Sequence, residues 1–141
     1  MTNMTDRTWA ATLINFSLSS NAAPTKPTQP LHLRLMTAQG SNTSNGTEAT
    51  AGNCPGYTAL GVTMGNPSFG ANSSGVSSSS NAQSWTATGA WATIVAGEVW
   101  DTAGSPIRLL QGALSTSISG IANGDVVSFA VAAVTADITA W

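Results

Sequence analysis

Leucines at positions 31, 33 and 35 alternate with His32 and Arg34, the period of two with which a strand buries one face and wets the other. Residues 84–88, 90–100, 107–115 and 125–139 are also rich in Val, Ile, Trp and Phe. They are separated by Gly89, by residues 101–106 and by Asn123-Gly124, so each reads as a strand. Residues 90–100 carry apolar side chains on both alternate faces, Trp91, Val95 and Val99 on one and Ile94 and Trp100 on the other. A strand of that kind is covered on both sides. Gly97 inside it marks a candidate bulge. In the last segment Val127, Phe129 and Val131 form the larger face and Val126, Ser128 and Ala130 the smaller one.

Polar stretches divide these runs. Residues 37–56 are dominated by Asn, Ser, Thr and Gly, and Asn45-Gly46 is a strong turn signal, which predicts a long loop or distorted hairpin. Residues 57–64 predict another short strand. Residues 66–83, including the serines at 77–80, predict a surface excursion. Ahead of the first strand, Asp6 caps a candidate helix through Thr8, Trp9, Ala10, Leu13, Ile14 and Phe16, spaced as on one helical face. Pro24, Pro27 and Pro30 then impose an extended arm.

The pattern predicts a mainly β protein: a single antiparallel β-sandwich or jelly-roll-like domain over residues 31–141. Residues 1–30 supply a short N-terminal helix and a Pro-rich arm that are not an independent domain. A length of 141 residues suffices for one core without metal or disulfide support.

Charge changes this picture most. Only 7% of residues are Asp, Glu, Lys or Arg, against about 25% in ordinary soluble domains. A neutral face can lie against another subunit without stranding desolvated ions, which points to assembly. A net charge of −2 offers no basic stripe for nucleic acid and no polybasic patch for a membrane surface. No apolar run reaches the length of a membrane span, and the first residues lack a secretory pattern, so synthesis in a cytoplasm is expected.

Catalytic chemistry finds few candidates. Cys54 is the single cysteine, in an Asn-Cys-Pro-Gly turn with no basic neighbour in sequence, and reads as inert. His32 is the single histidine and falls on the wet face of its strand. Neither a nucleophile elbow nor a phosphate-binding loop is present. Asp101 and Asp125 have no spacing that pairs them as in a glycosidase, and six scattered carboxylates do not suggest a metal site. No cofactor is expected. Asp125 reads instead as an acceptor for local backbone donors beside Gly124. Trp91 and Trp100 read as core. Glu98 interrupts an apolar strand, and is either exposed or paired with Arg34 or Arg108, within the subunit or across an interface.

The ordered series Leu31-His-Leu-Arg-Leu35, Gly56-Tyr57, Trp91-Ala-Thr-Ile-Val-Ala-Gly-Glu-Val-Trp-Asp101, Leu110-Gln-Gly-Ala-Leu114 and Asn123-Gly-Asp-Val-Val-Ser-Phe129 resembles small virion proteins of tailed bacteriophages, of the tail-fibre-like and head-decoration type. The resemblance covers residues 31–139 and implies a non-enzymatic structural subunit. Between Gly65 and Gln83 the chain departs from that group by a longer Asn/Ser tract. The first expectation is a capsid decoration protein on the outer shell, a homo-oligomer and in particular a trimer, that binds and stabilises the assembled major capsid protein. Trp9, Leu13, Phe16, Pro24, Pro27, Arg34, Glu98 and Arg108 are its candidate intersubunit contacts. The alternative is a tail-tip or tail-fibre module that binds a host-surface receptor, with Tyr57 and Trp85 as contacts.

Overall fold

Alternation along residues 31–38 places Leu33 and Leu35 against one side of a sheet, and hydrogen bonding along both edges places that strand inside it. The computed structural model describes residues 4–5, 18, 25–71 and 76–137. Among these it is mainly β, with ten strands: β1 Met4–Thr5, β2 His32–Ala38, β3 Thr47–Glu48, β4 Val62–Thr63, β5 Val76–Ser78, β6 Gln83–Thr86, β7 Ile94–Trp100, β8 Arg108–Ile118, β9 Val126–Phe129 and β10 Thr135–Asp137. The main sheet runs β1-β8-β7-β2-β3, with β4 also on β2, while β5 pairs with β10 and β6 with β9. Every pairing is antiparallel, as in a sandwich. The expected helix with Trp9, Leu13 and Phe16, and Pro24 of the arm, lie outside the described residues.

Register sorts the main sheet into two unlike faces. Leu33 lies opposite Val99, and Val99 opposite Leu110. This face joins Leu35, Trp85, Trp91, Val127 and Val134 in one apolar core. On the reverse face Arg34 lies opposite Glu98 and Glu98 opposite Gln111. All three are buried, so the side of β2 read from sequence as wet is instead covered. Glu98 and Gln111 are covered by the loop between β2 and β3, which the sequence read as a long loop or distorted hairpin: β2 and β3 do pair, with a register shift between Met36 and Ala38.

Several strand boundaries differ from the sequence pattern. Only Val62–Thr63 of residues 57–64 is a strand, because Tyr57 is drawn into the core and residues 58–61 turn. The register shifts of β7 against β8 flank Gly97 and do not fall on it. Residues 125–139 form no single strand. They turn after Phe129, and Val131 is 60% exposed instead of facing the core. The serine-rich tract is more than an excursion, since it supplies β5 together with the buried Ser68 and Ser79. Ser68 Oγ accepts the Leu31 N–H at 2.7 Å, and Ser79 Oγ accepts the Val134 N–H at 3.4 Å. Hydroxyls therefore satisfy backbone groups that burial would otherwise strand.

A buried charge cluster that fixes a surface loop

Low charge content makes each ion informative. Among the described side chains, Arg34, Glu98, Asp101 and Arg108 are buried and Glu48 is half-buried, while Lys26 and Asp125 are exposed. The Glu98–Arg108 pair is nearly sealed from solvent, with side-chain exposures of 1% and 2% and a 2.9 Å contact from Arg108 Nη1 to Glu98 Oε1. Opposite charges so buried hold together only when their remaining hydrogen-bonding capacity is used. Here it is used on both sides. Glu98 Oε1 accepts the Gly46 N–H at 2.7 Å and Oε2 accepts Trp100 Nε1–H at 2.9 Å. Arg108 donates to the Ser44 carbonyl at 2.7 Å and the Ser41 carbonyl at 2.6 Å.

Three of those bonds go to the backbone of the β2–β3 loop, and a fourth tie runs from Gln111 Nε2 to Asn42 Oδ1 at 2.9 Å. The loop closes on itself through the Ser41–Ser44 bridge and a 2.7 Å contact between their hydroxyls. Glycine permits the approach. A Cβ at Gly40 would lie 2.5 Å from the Gly46 nitrogen and 2.8 Å from Arg108 Nη1. Thr43, Ser44 and Asn45 are left exposed on the outside. The buried ions thus hold a polar surface loop in one shape.

Arg34 extends the cluster, its guanidinium 4.4 Å from the centre of the Trp100 ring and 3.3 Å from Glu48 Oε2. Tyr57 links this polar side to the core. Its hydroxyl donates to Glu48 Oε1 at 2.9 Å and accepts the Leu35 N–H at 3.1 Å, while its ring stacks on Trp85 at 6.0 Å and meets Trp91 edge-on at 6.3 Å. Burial pushes the Tyr57 phenol well above the ordinary tyrosine range; the Leu35 N–H opposes that shift and the Glu48 charge adds to it. A phenol raised on folding favours the folded state below its unfolded value, about 10, and that contribution fades as pH rises beyond it. Tyr57→Phe is expected to cost about 1–3 kcal/mol, because a buried N–H loses its acceptor, and to flatten the fall in stability above about pH 10. Denaturant unfolding of both proteins across alkaline pH checks it.

The remaining sequence candidates are accounted for individually. Arg34, Glu98 and Arg108, candidates for contact between subunits, meet partners inside their own chain. Pro27 is half-buried. Tyr57 and Trp85, the candidate receptor contacts, are 4% and 3% exposed and belong to the core, so neither presents a surface to a receptor. His32 is half-buried, with Nδ1 3.0 Å from the Leu60 carbonyl. Asp125 accepts the Ala122 N–H at 2.8 Å, the local role its turn implied. Cys54 is fully buried, and burial raises its thiol pKa, which disfavours the reactive thiolate.

A sequence model of the family described as podophage GP4 fiber I protein gp80 matches residues 3–137. The chain belongs to this family. As a fiber I family member it is a phage fibre protein and a structural component of the virion. No curated protein matches it. The match spans both the charge cluster and the aromatic core, so the loop held by Glu98 and Arg108 is part of the fiber I region itself.

Proposed function

We propose that this chain is a non-enzymatic tail-fibre subunit whose β2–β3 loop binds a neutral, hydroxyl-rich host-surface receptor such as a glycan. The carrying observation is the fixation of that loop: Glu98, Arg108 and Gln111 hold it from beneath, while Thr43, Ser44 and Asn45 face outward. Burying an ion pair to order an exposed loop adds little apolar burial, whereas a preordered loop loses less entropy when it meets a ligand. Hydroxyl and amide side chains suit a neutral polar ligand, which a loop without ionic groups meets without desolvating charge.

Fibre-family membership favours this reading over decoration of the capsid shell, where the major capsid protein would be the partner. Quantifying the protein in separated heads and tails tests the location. Copies retained with tails support the fibre reading, and hundreds of copies on heads would sink it. The loop is tested by Thr43→Ala combined with Asn45→Ala. Binding of the isolated protein to host cells is expected to weaken at least about fivefold, near 1 kcal/mol, at unchanged melting temperature. Unchanged binding would reject the loop as the contact.

A further inference from the structure

Beyond receptor binding, we infer that Asn45 is a site of hydrolytic modification, its side-chain amide convertible to a carboxylate, and that the buried Glu98 carboxylate keeps it unreacted while the β2–β3 loop is closed. Asn45 and Asn123 are the two asparagines of the chain that glycine follows. Glycine has no side chain to hinder approach by its own nitrogen, so this pairing is the one most prone to attack on the asparagine amide. The fold requires glycine at position 46. A Cβ there would lie 2.6 Å from the Ala38 carbonyl oxygen and 3.0 Å from the Gly40 nitrogen, the first of these closer than a Cβ tolerates. Packing of the loop thus imposes the vulnerable pair, and Asn45 stands exposed to water.

The reaction is intramolecular and needs only water. The Gly46 nitrogen gives up its proton to solvent and bonds to Asn45 Cγ, the Cγ–Nδ2 bond breaks, and ammonia leaves after taking a proton back from solvent. Water then opens the resulting cyclic imide at either carbonyl, giving aspartate or the isomer in which the backbone runs through the side chain. Everything starts with the loss of the Gly46 proton. In the closed loop that N–H is donated to Glu98 Oε1 at 2.7 Å, inside a buried cluster that solvent base does not reach. A negative charge forming on the nitrogen would also face the negative carboxylate. Arg108 and Trp100 hold Glu98 in place, so reaction waits on local opening of the loop. Asn123 supplies the contrast. The Gly124 N–H is donated to the neutral Ala87 carbonyl at 2.8 Å, and both Asn123 and Gly124 are exposed.

Incubation of the full chain at mildly alkaline pH tests this, with peptide mass spectrometry reading the replacement of NH2 by OH at each asparagine. Asn45 is expected to react at least about tenfold more slowly in the folded wild type than in the same chain unfolded in urea. Glu98→Ala is expected to raise the Asn45 rate at least about tenfold while the Asn123 rate changes less than about twofold. Melting temperatures report whether each variant is folded. Glu98→Gln keeps the shape of the side chain without its charge, and a rise of about threefold or more at Asn45 is expected from it if the alanine variant does not fold. Folded wild type that reacts at Asn45 as fast as the unfolded chain, or faster, would overturn the proposal. So would a folded Glu98 variant with the wild-type rate at Asn45, or one in which Asn123 accelerates equally. The reading is a mass change at a named residue, so it stands or falls independently of receptor binding.

Discussion

Glu98→Ala is expected to lower unfolding free energy by about 3–5 kcal/mol, the scale for removing one partner of a buried ion pair. The carboxylate is the common acceptor for Arg108, the Gly46 N–H and Trp100 Nε1–H. Its removal takes one acceptor from Arg108 and leaves two further donors, the Gly46 N–H and Trp100 Nε1–H, without the acceptor that burial requires. The loop should loosen before the core does, so limited proteolysis should cut near residues 41–46 in the variant and not in the wild type. Glu98→Leu with Arg108→Met is expected to cost less than the two single changes summed, since removing both charges leaves neither unpaired. Equilibrium unfolding in denaturant measures wild type, Glu98→Ala, the two single changes and the double variant. A Glu98→Ala protein within about 1 kcal/mol of wild type would show the pair to be as weak as an exposed one.

Trp85→Ala should be of similar size, about 3–5 kcal/mol, by a different route. Trp85 stacks on Tyr57 and meets Phe129 edge-on at 6.2 Å, so its loss opens a cavity between the main sheet and the β6–β9 pair. Among the described residues its Nε1 makes no hydrogen bond. Trp85→Phe therefore removes no polar contact and is expected to cost roughly half as much or less, the residue being lost volume. Thermal unfolding of the two variants separates the contributions. If phenylalanine and alanine are equally damaging, the ring stack is not what holds the β6–β9 pair on the core.

The apolar half of this architecture was legible because period-two alternation and aromatic strands have few alternatives. Leu33, Leu35, Trp91, Val99 and Val127 all lie in the core. Glu98 was legible as an anomaly, and Arg108 as one of two partners within reach of a pairing. The loop was not, because a single sequence does not reveal that Ser41 and Ser44 offer carbonyls to an arginine more than sixty residues away. The same limit explains Arg34: local alternation marks a polar face, while only the fold supplies the Trp100 ring and Glu48 that cover it. Tyr57 and Trp85 misled in the opposite direction, since aromatic residues beside polar loops suit a binding platform and a core anchor equally. The turn at Val131 escaped because alternation through residues 126–131 gives no sign of a positive φ at Ala132.

The inward placement of charge has a consequence for the conditions under which a particle can attach. Charge-steered encounters slow as salt screens the field over about 10 Å at 0.1 M. A surface on which Lys26 and Asp125 are the exposed charges among the described residues has little field to lose. Attachment through the β2–β3 loop, as proposed above, is therefore expected to proceed at nearly the same rate in dilute water and in brine. On that reading the rate follows how often particle and host collide, and scarcely the ions between them.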